Sequence, residues 1–358
     1  MRRHGPRFRV ALIGCGAVAR LYYTPALREL ESGGLLEVVA LVDPVAAHSA
    51  RLKEAFPKAR SYPQIPGLPP DSIDLAIVAS PHSLHAAQSI QLLQSGVSVL
   101  CEKPMATSAA DARAMERAAG TGPGLLAVAL VRRFFPATRS IREMLALRTL
   151  GEISSFEFSE GSESFAWPVA SARYFDRREA QGGVLMDIGA HALDLMQWWL
   201  GSCVIVEYGD DAMGGIEANC LVRCQLENGV IGSLRLSRDC AMANRYTVRG
   251  SLGWLSWCTD TVDQFEFGLA DTSEATVARP SGQAASSFEQ AFLGQLRNVV
   301  AALRGTEELY VPASAGLAGS ELIEQCYRQR SLMPLPWLDD REMARARELN
   351  DSLHAGVA

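Results

Sequence analysis

The sequence predicts an α/β protein of two domains, in which a doubly wound parallel sheet precedes a domain with antiparallel strands. The chain has 358 residues, which is more than one ordinary hydrophobic core accommodates. Apolar runs alternate with amphipathic stretches from Phe8 to about Leu130, as is typical of a parallel sheet covered by helices on both faces. In the second half, Asn228-Gly229 separates two strand-like segments, which is a strong hairpin signal.

The elements of the first domain follow from apolar periodicity. Amphipathic stretches at residues 84–93 and 109–119 are predicted helices, because their apolar residues recur at helical spacing. We place this domain at residues 1–130. Its predicted strands are residues 8–13, 36–42, 74–79, 97–100 and 125–131.

A glycine turn with the sequence GCGAVA follows the first predicted strand, at residues 14–19. It matches the G-x-G-x-x-G/A pattern of dinucleotide-binding sites. Gly14 would allow the tight turn, Gly16 would let backbone amides approach a pyrophosphate, and Ala19 would permit close packing of helix on strand. An ordinary strand–helix turn is the alternative. The predicted cofactor contacts in this turn are Gly14, Gly16, Ala17 and Val18.

Asp43 ends the second predicted strand, where a carboxylate can accept hydrogen bonds from both hydroxyls of an adenosine ribose. The turn at residues 31–34 accounts for its distance from the glycines, which exceeds the usual spacing of about 20 residues. A carboxylate there repels a 2′-phosphate, and residues 44–47 include no arginine. NAD is therefore favoured, with NADP as the alternative. Asp43 could also cap the following helix, and one side chain can do both.

Composition excludes several classes of function. The net charge of −6 gives no general affinity for nucleic acid. No apolar run approaches the roughly 20 residues of a membrane helix, and the N-terminus lacks the apolar core of a signal peptide. The eight cysteines are scattered, with no Cys/His spacing suited to zinc. We expect a cytoplasmic protein with no metal, membrane or nucleic-acid partner.

Three polar residues mark a predicted helix in the second half. Asp187, His191 and Asp194 recur at offsets of four and three, which on an α-helix is one face. His191 is the candidate general acid/base, because imidazole titrates near neutral pH. Asp187 could hold a substrate hydroxyl or orient the imidazole, and Asp194 could bind a further hydroxyl. A satisfied core histidine is the alternative, but three polar residues on an apolar helix are costly to bury without a function.

Motifs along most of the chain, roughly residues 8–336, resemble those of the Gfo/Idh/MocA oxidoreductases, the relatives of glucose–fructose oxidoreductase and inositol dehydrogenase. The order of the motifs is also that of the family. They are P-x-x-x-H at residues 81–85, E-K-P at 102–104, R-F-x-P at 133–136, I-G-x-I at 150–153 (here with leucine first), G-G-x-x-x-D-x-G-x-H at 182–191 and G-x-x-G-x-L at 250–255.

The resemblance implies a Rossmann domain followed by an α+β domain with an open, mostly antiparallel sheet, at residues 131–336. Residues 337–358 form a tail that we expect to be helical. The resemblance also places Lys103 beside the nicotinamide, where its charge can stabilise a developing alkoxide, and implies a cis Lys103–Pro104 bond. His82 and His85 do not suggest a metal site, because no third ligand is near in sequence. Further predicted cofactor contacts are Ser80, Pro81, His82, His85, Glu102 and Arg133.

These residues together predict an NAD(P)-dependent dehydrogenase acting on a secondary hydroxyl of a sugar, nucleotide sugar, amino sugar or cyclitol. A non-catalytic NAD(P)-binding regulator and a redox-neutral, NAD-dependent glycosidase are the alternatives. In the polar segment 159–178, Trp167 could stack on a sugar ring, and Glu160 and Glu163 could meet substrate amino groups. The predicted substrate contacts are Lys103, Trp167, Asp187, His191 and Asp194.

An open sheet leaves one face uncovered by its own helices, and pairing such faces hides that surface. We therefore expect a homodimer or homotetramer, with residues 220–237 contributing to the subunit contact.

Overall fold

The computed structural model of the chain describes residues 7–163, 180–272, 274–280, 285–336 and 338–355. They form two compact units. The first unit contains residues 7–134 and also 285–320, which the sequence division at residue 130 assigned to the second domain. The second unit contains the remaining described residues, from 135 to 280 and from 321 to 355.

The first unit is built on a six-stranded sheet in the order β3-β2-β1-β4-β5-β6, and every pairing in it is parallel. The order reverses between β1 and β4, which in doubly wound sheets is where ligands bind, beyond the carboxyl ends of the strands. Five strands confirm the predicted apolar runs. The strands are β1 Phe8–Ile13, β2 Leu36–Val42, β3 Arg60–Tyr62, β4 Leu75–Val78, β5 Ser98–Glu102 and β6 Leu126–Ala129.

Burial explains why these runs are apolar throughout. All residues of β4, β5 and β6 are buried, and Val78, Val99 and Val128 belong to one apolar core. The strand β3 escaped prediction because it is a short edge strand with Arg60 and Ser61 exposed, so it carries no apolar signal.

The second unit is built on a nine-stranded mixed sheet in the order β14-β13-β12-β11-β7-β10-β9-β8-β15. The pairs β10–β7 and β15–β8 are parallel, and the other pairs are antiparallel. Its strands are β7 Ile153–Gly161, β8 Cys203–Asp210, β9 Asn219–Leu226, β10 Ile231–Ser237, β11 Arg245–Gly250, β12 Gly253–Cys258, β13 Phe265–Leu269, β14 Thr276–Ala278 and β15 Arg330–Leu332.

The predicted hairpin at Asn228-Gly229 joins β9 to β10. Gly229 has φ of 87°, a left-handed conformation that suits glycine. Leu234 and Leu236 are buried, and so is Ser237 at the end of β10. The Ser237 hydroxyl accepts hydrogen bonds from the backbone N–H groups of Asp239 and Cys240, so it satisfies the turn that ends the strand.

One face of this sheet packs on helices. Phe158 and Tyr246 stack with ring centroids 4.2 Å apart, and Trp199 meets Phe158 edge to face. The Trp199 indole donates a hydrogen bond to the carbonyl oxygen of Thr138. Trp199 is therefore a core residue.

The α-helices are α1 Thr24–Ser32, α2 Ala46–Lys53, α3 His85–Gln94, α4 Ala109–Thr121, α5 Pro136–Ala146, α6 Ala190–Leu200, α7 Phe288–Leu303, α8 Ala313–Arg328 and α9 Asp340–Ala355. Short turns of 3₁₀-helix lie at Ile65–Gly67, Pro70–Ser72, His82–Leu84 and Val131–Phe134, and π-helical turns lie at Ala19–Tyr23 and Leu185–Gly189. Within the described ranges, none of the helices has both the length and the apolarity to cross a bilayer.

Candidate active site

The glycine turn after β1 is shaped by the neighbouring strand. Gly14 has φ of +87°, and a Cβ there would lie 2.6 Å from the carbonyl oxygen of Ala79, so only glycine fits. At Gly16, by contrast, no described atom lies within 4 Å of the position of a Cβ. Ala19 is fully buried and begins the π-helical turn Ala19–Tyr23. The turn is therefore tight against the sheet at Gly14 and open at Gly16.

Asp43 ties this turn to the start of α2. One carboxylate oxygen accepts a hydrogen bond from the Cys15 N–H at 2.9 Å, and the other accepts one from the Val45 N–H at 2.8 Å. Nδ1 of His48 lies 3.3 Å from the carboxylate. Asp43 thus contacts Val45, the N-cap residue of α2, although α2 has no side-chain cap. Its second contact, to Cys15, was missed by sequence reasoning.

His85 joins the segment after β4 to the segment after β5. It is fully buried, with Nδ1 at 2.8 Å from the Pro104 carbonyl oxygen and Nε2 at 2.9 Å from that of Ser80. Burial lowers the pKa of His85 below its ordinary 6.5, and the charge of Lys103 lowers it further, although the two carbonyls oppose this. Both ring nitrogens face carbonyl oxygens, so neither is directed at a metal ion.

Lys103 is half-buried, and the predicted cis Lys103–Pro104 bond is confirmed. The buried Glu102 side chain holds the backbone of Lys103, because one Glu102 carboxylate oxygen accepts a hydrogen bond from the Lys103 N–H at 3.1 Å. The other Glu102 oxygen accepts one from the Tyr23 hydroxyl at 2.7 Å, and the Gln295 amide donates to that hydroxyl at 3.4 Å. Burial, and then the charge of Glu102, raise the pKa of Tyr23.

Tyr23 and Gln295 were missed by sequence reasoning. Tyr23 lies 79 residues from Glu102, and Gln295 lies 272 residues from Tyr23. Local pattern carries no signal for such pairs.

All the predicted cofactor residues lie in the first unit, at or just after the carboxyl ends of parallel strands. Arg133 is half-buried in the 3₁₀ turn after β6, and the His82 ring meets that of His85 edge to face. Their contacts with a cofactor remain predictions. The strands and the residues that follow them are β1 with Gly14, Gly16, Ala17 and Val18; β2 with Asp43; β4 with Ser80, Pro81, His82 and His85; β5 with Glu102 and Lys103; and β6 with Arg133.

The candidate acid/base residues lie in the second unit, on a helix that differs from the prediction. Asp187 is in the π-helical turn Leu185–Gly189, and His191 and Asp194 are in α6. The offset from Asp187 to His191 therefore spans a wider turn than the regular α-helix expected from the spacing. His191 is 9% exposed and Asp194 is 2% exposed.

Two charged residues that flank strands of the sheet contact the start of this helix, and neither was predicted. Nη2 of Arg238 lies 3.8 Å from a carboxylate oxygen of Asp187. Glu217 is fully buried and accepts hydrogen bonds from the N–H groups of Gly183, at 2.8 Å, and Leu185, at 3.2 Å. Glu217 precedes β9 and Arg238 follows β10, so each is more than thirty residues in sequence from the residue that it contacts.

The described part of the predicted substrate segment, residues 159–163, includes the end of β7. Glu160, suggested as a partner for substrate amino groups, accepts a hydrogen bond from the Tyr246 hydroxyl at 2.5 Å. Glu163 is exposed. Trp167 lies outside the described residues.

Comparison with protein families matches both halves of the chain to one family. Residues 8–129 match its model for the NAD-binding Rossmann fold, and residues 142–332 match its C-terminal alpha/beta domain. The family is that of the Gfo/Idh/MocA oxidoreductases.

Individual relatives are similar over most of their length. Trans-1,2-dihydrobenzene-1,2-diol dehydrogenase of Sus scrofa is 30% identical over 246 residues, covering 66% of this chain and 71% of that protein. The rhizopine catabolism protein MocA of Rhizobium meliloti is 26% identical over 331 residues, covering 89% and 93%.

Solved structures share the fold. Levoglucosan dehydrogenase in complex with NADH and levoglucosan has a TM-score of 0.79 at 18% identity, covering 90% of this chain and 97% of that one. A 3-ketoreductase from Actinomadura kijaniata, solved with NADP and TDP-benzene, has a TM-score of 0.78 at 24% identity, covering 92% and 100%.

Proposed function

The chain belongs to the Gfo/Idh/MocA family of oxidoreductases, and on that basis we propose that it transfers hydride between nicotinamide and a secondary hydroxyl on the ring of a sugar, nucleotide sugar, amino sugar or cyclitol. Family membership makes it an NAD(P)-dependent oxidoreductase, and the substrate class is the proposal. The names of its relatives support it, because a dihydrobenzene diol and levoglucosan both carry secondary hydroxyls on a ring.

The observation that carries the use of a nicotinamide dinucleotide is the shape of the glycine turn. A dinucleotide fits these residues, because Gly16 leaves room beside the backbone amides and the π-turn that follows presents a helix N-terminus, which favours an anion. Asp43 would hold the adenosine ribose. Oδ1 accepts one hydrogen bond, from Val45, and has a lone pair left for a ribose hydroxyl. Oδ2 accepts one from Cys15 and also lies 3.3 Å from Nδ1 of His48. The negative charge of Asp43 favours NAD over NADP.

In this proposal three side chains handle the substrate. When bound, the nicotinamide supplies the hydride acceptor. His191 takes the hydroxyl proton of the substrate, Lys103 stabilises the negative charge that develops on the oxygen, and Asp187 orients the imidazole or the hydroxyl. Asp194 and Trp167 remain candidate substrate contacts.

The test combines a substrate panel with two variants. Sugars, cyclitols and amino sugars are screened with NAD by thermal shift, and positive compounds are then assayed for NADH. Lys103→Ala and His191→Ala should each lower turnover by about a hundredfold or more, with NAD affinity retained. Lys58→Ala, at an exposed lysine, is the matched control.

Each alternative has its own outcome. Near-normal turnover in both variants would place the chemistry elsewhere. Substrate consumption without lasting NADH would favour the redox-neutral glycosidase, and binding without turnover of any panel compound would count against the proposed substrate class.

We also propose a homodimer or homotetramer. Val204, Val206 and Ile231 on β8 and β10 are 56%, 43% and 44% exposed, which suits a surface covered by a second subunit. A monodisperse monomer in light scattering at micromolar concentration would contradict this.

A further inference from the structure

We propose that Glu217 is a positioning residue for catalysis: it fixes the start of the helix that carries Asp187 and His191 and thereby sets the turnover rate. The inference rests on the proposed function of those two residues. Glu217 itself touches neither substrate nor cofactor in this proposal.

Three consecutive backbone N–H groups donate hydrogen bonds to Glu217. Its carboxylate accepts from Gly183 at 2.8 Å and from Leu185 at 3.2 Å, and its carbonyl oxygen accepts from Val184 at 3.0 Å. The first N–H groups of a helix have no partner within the helix and need one elsewhere. The residue before this helix, Val184, makes no side-chain cap. Glu217, 34 residues beyond Gly183, therefore provides the cap.

Gly182 and Gly183, before the helix, lie too close to Tyr327 and Glu217 for a side chain to be added without a clash. A Cβ on Gly183 would lie 1.9 Å from the carbonyl oxygen of Glu217, and a Cβ on Gly182 would come within 2.4 Å of the Tyr327 hydroxyl. At Gly183 the clash is with backbone, so only glycine permits the approach. At Gly182 a side chain would displace the Tyr327 hydroxyl, which donates to Glu217.

Glu217 is itself held in place. The Tyr327 hydroxyl donates to one carboxylate oxygen at 2.8 Å, and Arg330 Nη2 donates to the other at 3.2 Å. Nε of Arg330 lies 2.6 Å from a carboxylate oxygen of Asp210. A buried carboxylate is costly unless it is paired and hydrogen-bonded, and here both oxygens are occupied. Glu217 is therefore a rigid anchor.

The anchor connects to the candidate catalytic residues along two paths. The Gly183 carbonyl oxygen accepts a hydrogen bond from the Asp187 N–H at 3.1 Å, so a shift of Gly183 moves Asp187. The residue after Glu217, Ala218, accepts the backbone N–H of Arg238 at 3.0 Å, and the Arg238 guanidinium faces Asp187. Displacing Glu217 thus disturbs both the backbone and the ion pair of Asp187.

The test compares Glu217→Ala with Glu217→Gln, which keeps one acceptor oxygen for the N–H groups. Glu217→Ala should lower kcat by about ten- to a hundredfold, the scale of a small misplacement of reacting groups, and Glu217→Gln should recover most of it. NAD affinity should stay within about twofold, because the dinucleotide site is proposed in the first unit. The acid limb of the kcat–pH profile should also move in Glu217→Ala, since it reports the catalytic base. Glu207→Ala, at an exposed glutamate on β8 paired with Arg223, is the control.

A purely structural role would lower the melting temperature but leave kcat per folded active site and its pH profile unchanged. That result, or failure of Glu217→Gln to recover turnover, overturns the inference. If Glu217→Ala does not fold, Tyr327→Phe removes one donor to Glu217 and should give a smaller change in the same direction; an unchanged kcat and pH profile there would also overturn it. Normal turnover in His191→Ala and Lys103→Ala would instead refute the proposed function.

Discussion

A glycine turn precedes each of the two helices discussed above, and Gly16 in the first turn and Gly183 in the second have opposite surroundings. In the first unit, Gly16 has open space where a Cβ would stand, as judged from the described atoms. In the second, Gly183 has the carbonyl oxygen of Glu217 1.9 Å from that position. The first turn is open beside Gly16, where we propose that the dinucleotide binds, and the second is already filled by the protein's own chain.

Each turn runs into a π-helical turn, at Ala19–Tyr23 and Leu185–Gly189, a feature frequent at functional sites. Each also has a carboxylate that accepts backbone N–H groups, Asp43 in the first case and Glu217 in the second. We propose that this shared local structure serves two purposes, binding in the first turn and positioning in the second, and the variants below separate them.

The largest expected effect is that of Gly183→Ala. The added methyl group has no room beside Glu217, and overpacking against backbone should cost about 3 kcal/mol or more of unfolding free energy, with turnover largely lost. Chemical denaturation and steady-state kinetics measure the two effects.

Gly16→Ala is the matched substitution in the other turn. Gly16 is not in the left-handed region, so alanine should leave stability unchanged or raise it by up to about 1 kcal/mol, while NAD affinity falls. The comparison breaks down if the two variants destabilise equally, or if Gly16→Ala binds NAD normally.

A smaller effect is expected from Asp43→Asn, which keeps one acceptor oxygen but removes the charge. Cys15 and Val45 donate to different oxygens of Asp43, so one of these bonds is lost and the other is weakened, which should cost about 1–3 kcal/mol of stability. Loss of repulsion toward a 2′-phosphate should shift the ratio of kcat/KM values for NAD and NADP toward NADP by about tenfold. An unchanged ratio with lower stability would mean that Asp43 serves only to hold its turn.

The comparison also explains what could be predicted from the sequence. The first turn is a local motif whose partners, β1 and the residue after β2, are marked by apolar runs, so the parallel sheet and the placement of Gly14 and Asp43 followed from pattern. The strand pair around Asn228-Gly229 was predictable for the same reason, because a two-residue turn sets its own register.

The second turn depends on contacts that no local pattern records. Glu217 precedes β9 as an unremarkable acidic residue, and only folding brings it to Gly183, 34 residues away. Arg238 likewise contacts Asp187 from the end of β10. The π-turn was missed because the spacing of Asp187, His191 and Asp194 also fits an ordinary α-helix. That spacing carries no information about a cap provided by a residue distant in sequence.

The smallest expected effect is on the pH dependence of stability, to which His85 of the first unit and Glu217 of the second contribute with opposite sign. The pKa of His85 is lowered by burial, so as pH falls below about 6.5 the unfolded chain takes up the proton first and stability declines, by at most about 1.4 kcal/mol per pH unit. Burial raises the pKa of Glu217. As pH falls, the folded chain therefore binds the Glu217 proton before the unfolded chain does, which increases stability until the pH reaches the ordinary pKa of 4.5. The pH dependence of the wild-type stability therefore combines the opposite contributions of His85 and Glu217.

We expect His85→Gln to lose less stability than the wild type between about pH 7.5 and about pH 5.5, measured by chemical denaturation of both proteins in the same buffers. Parallel curves would show that His85 keeps its ordinary pKa, and that its two carbonyl contacts balance the cost of burying its charge.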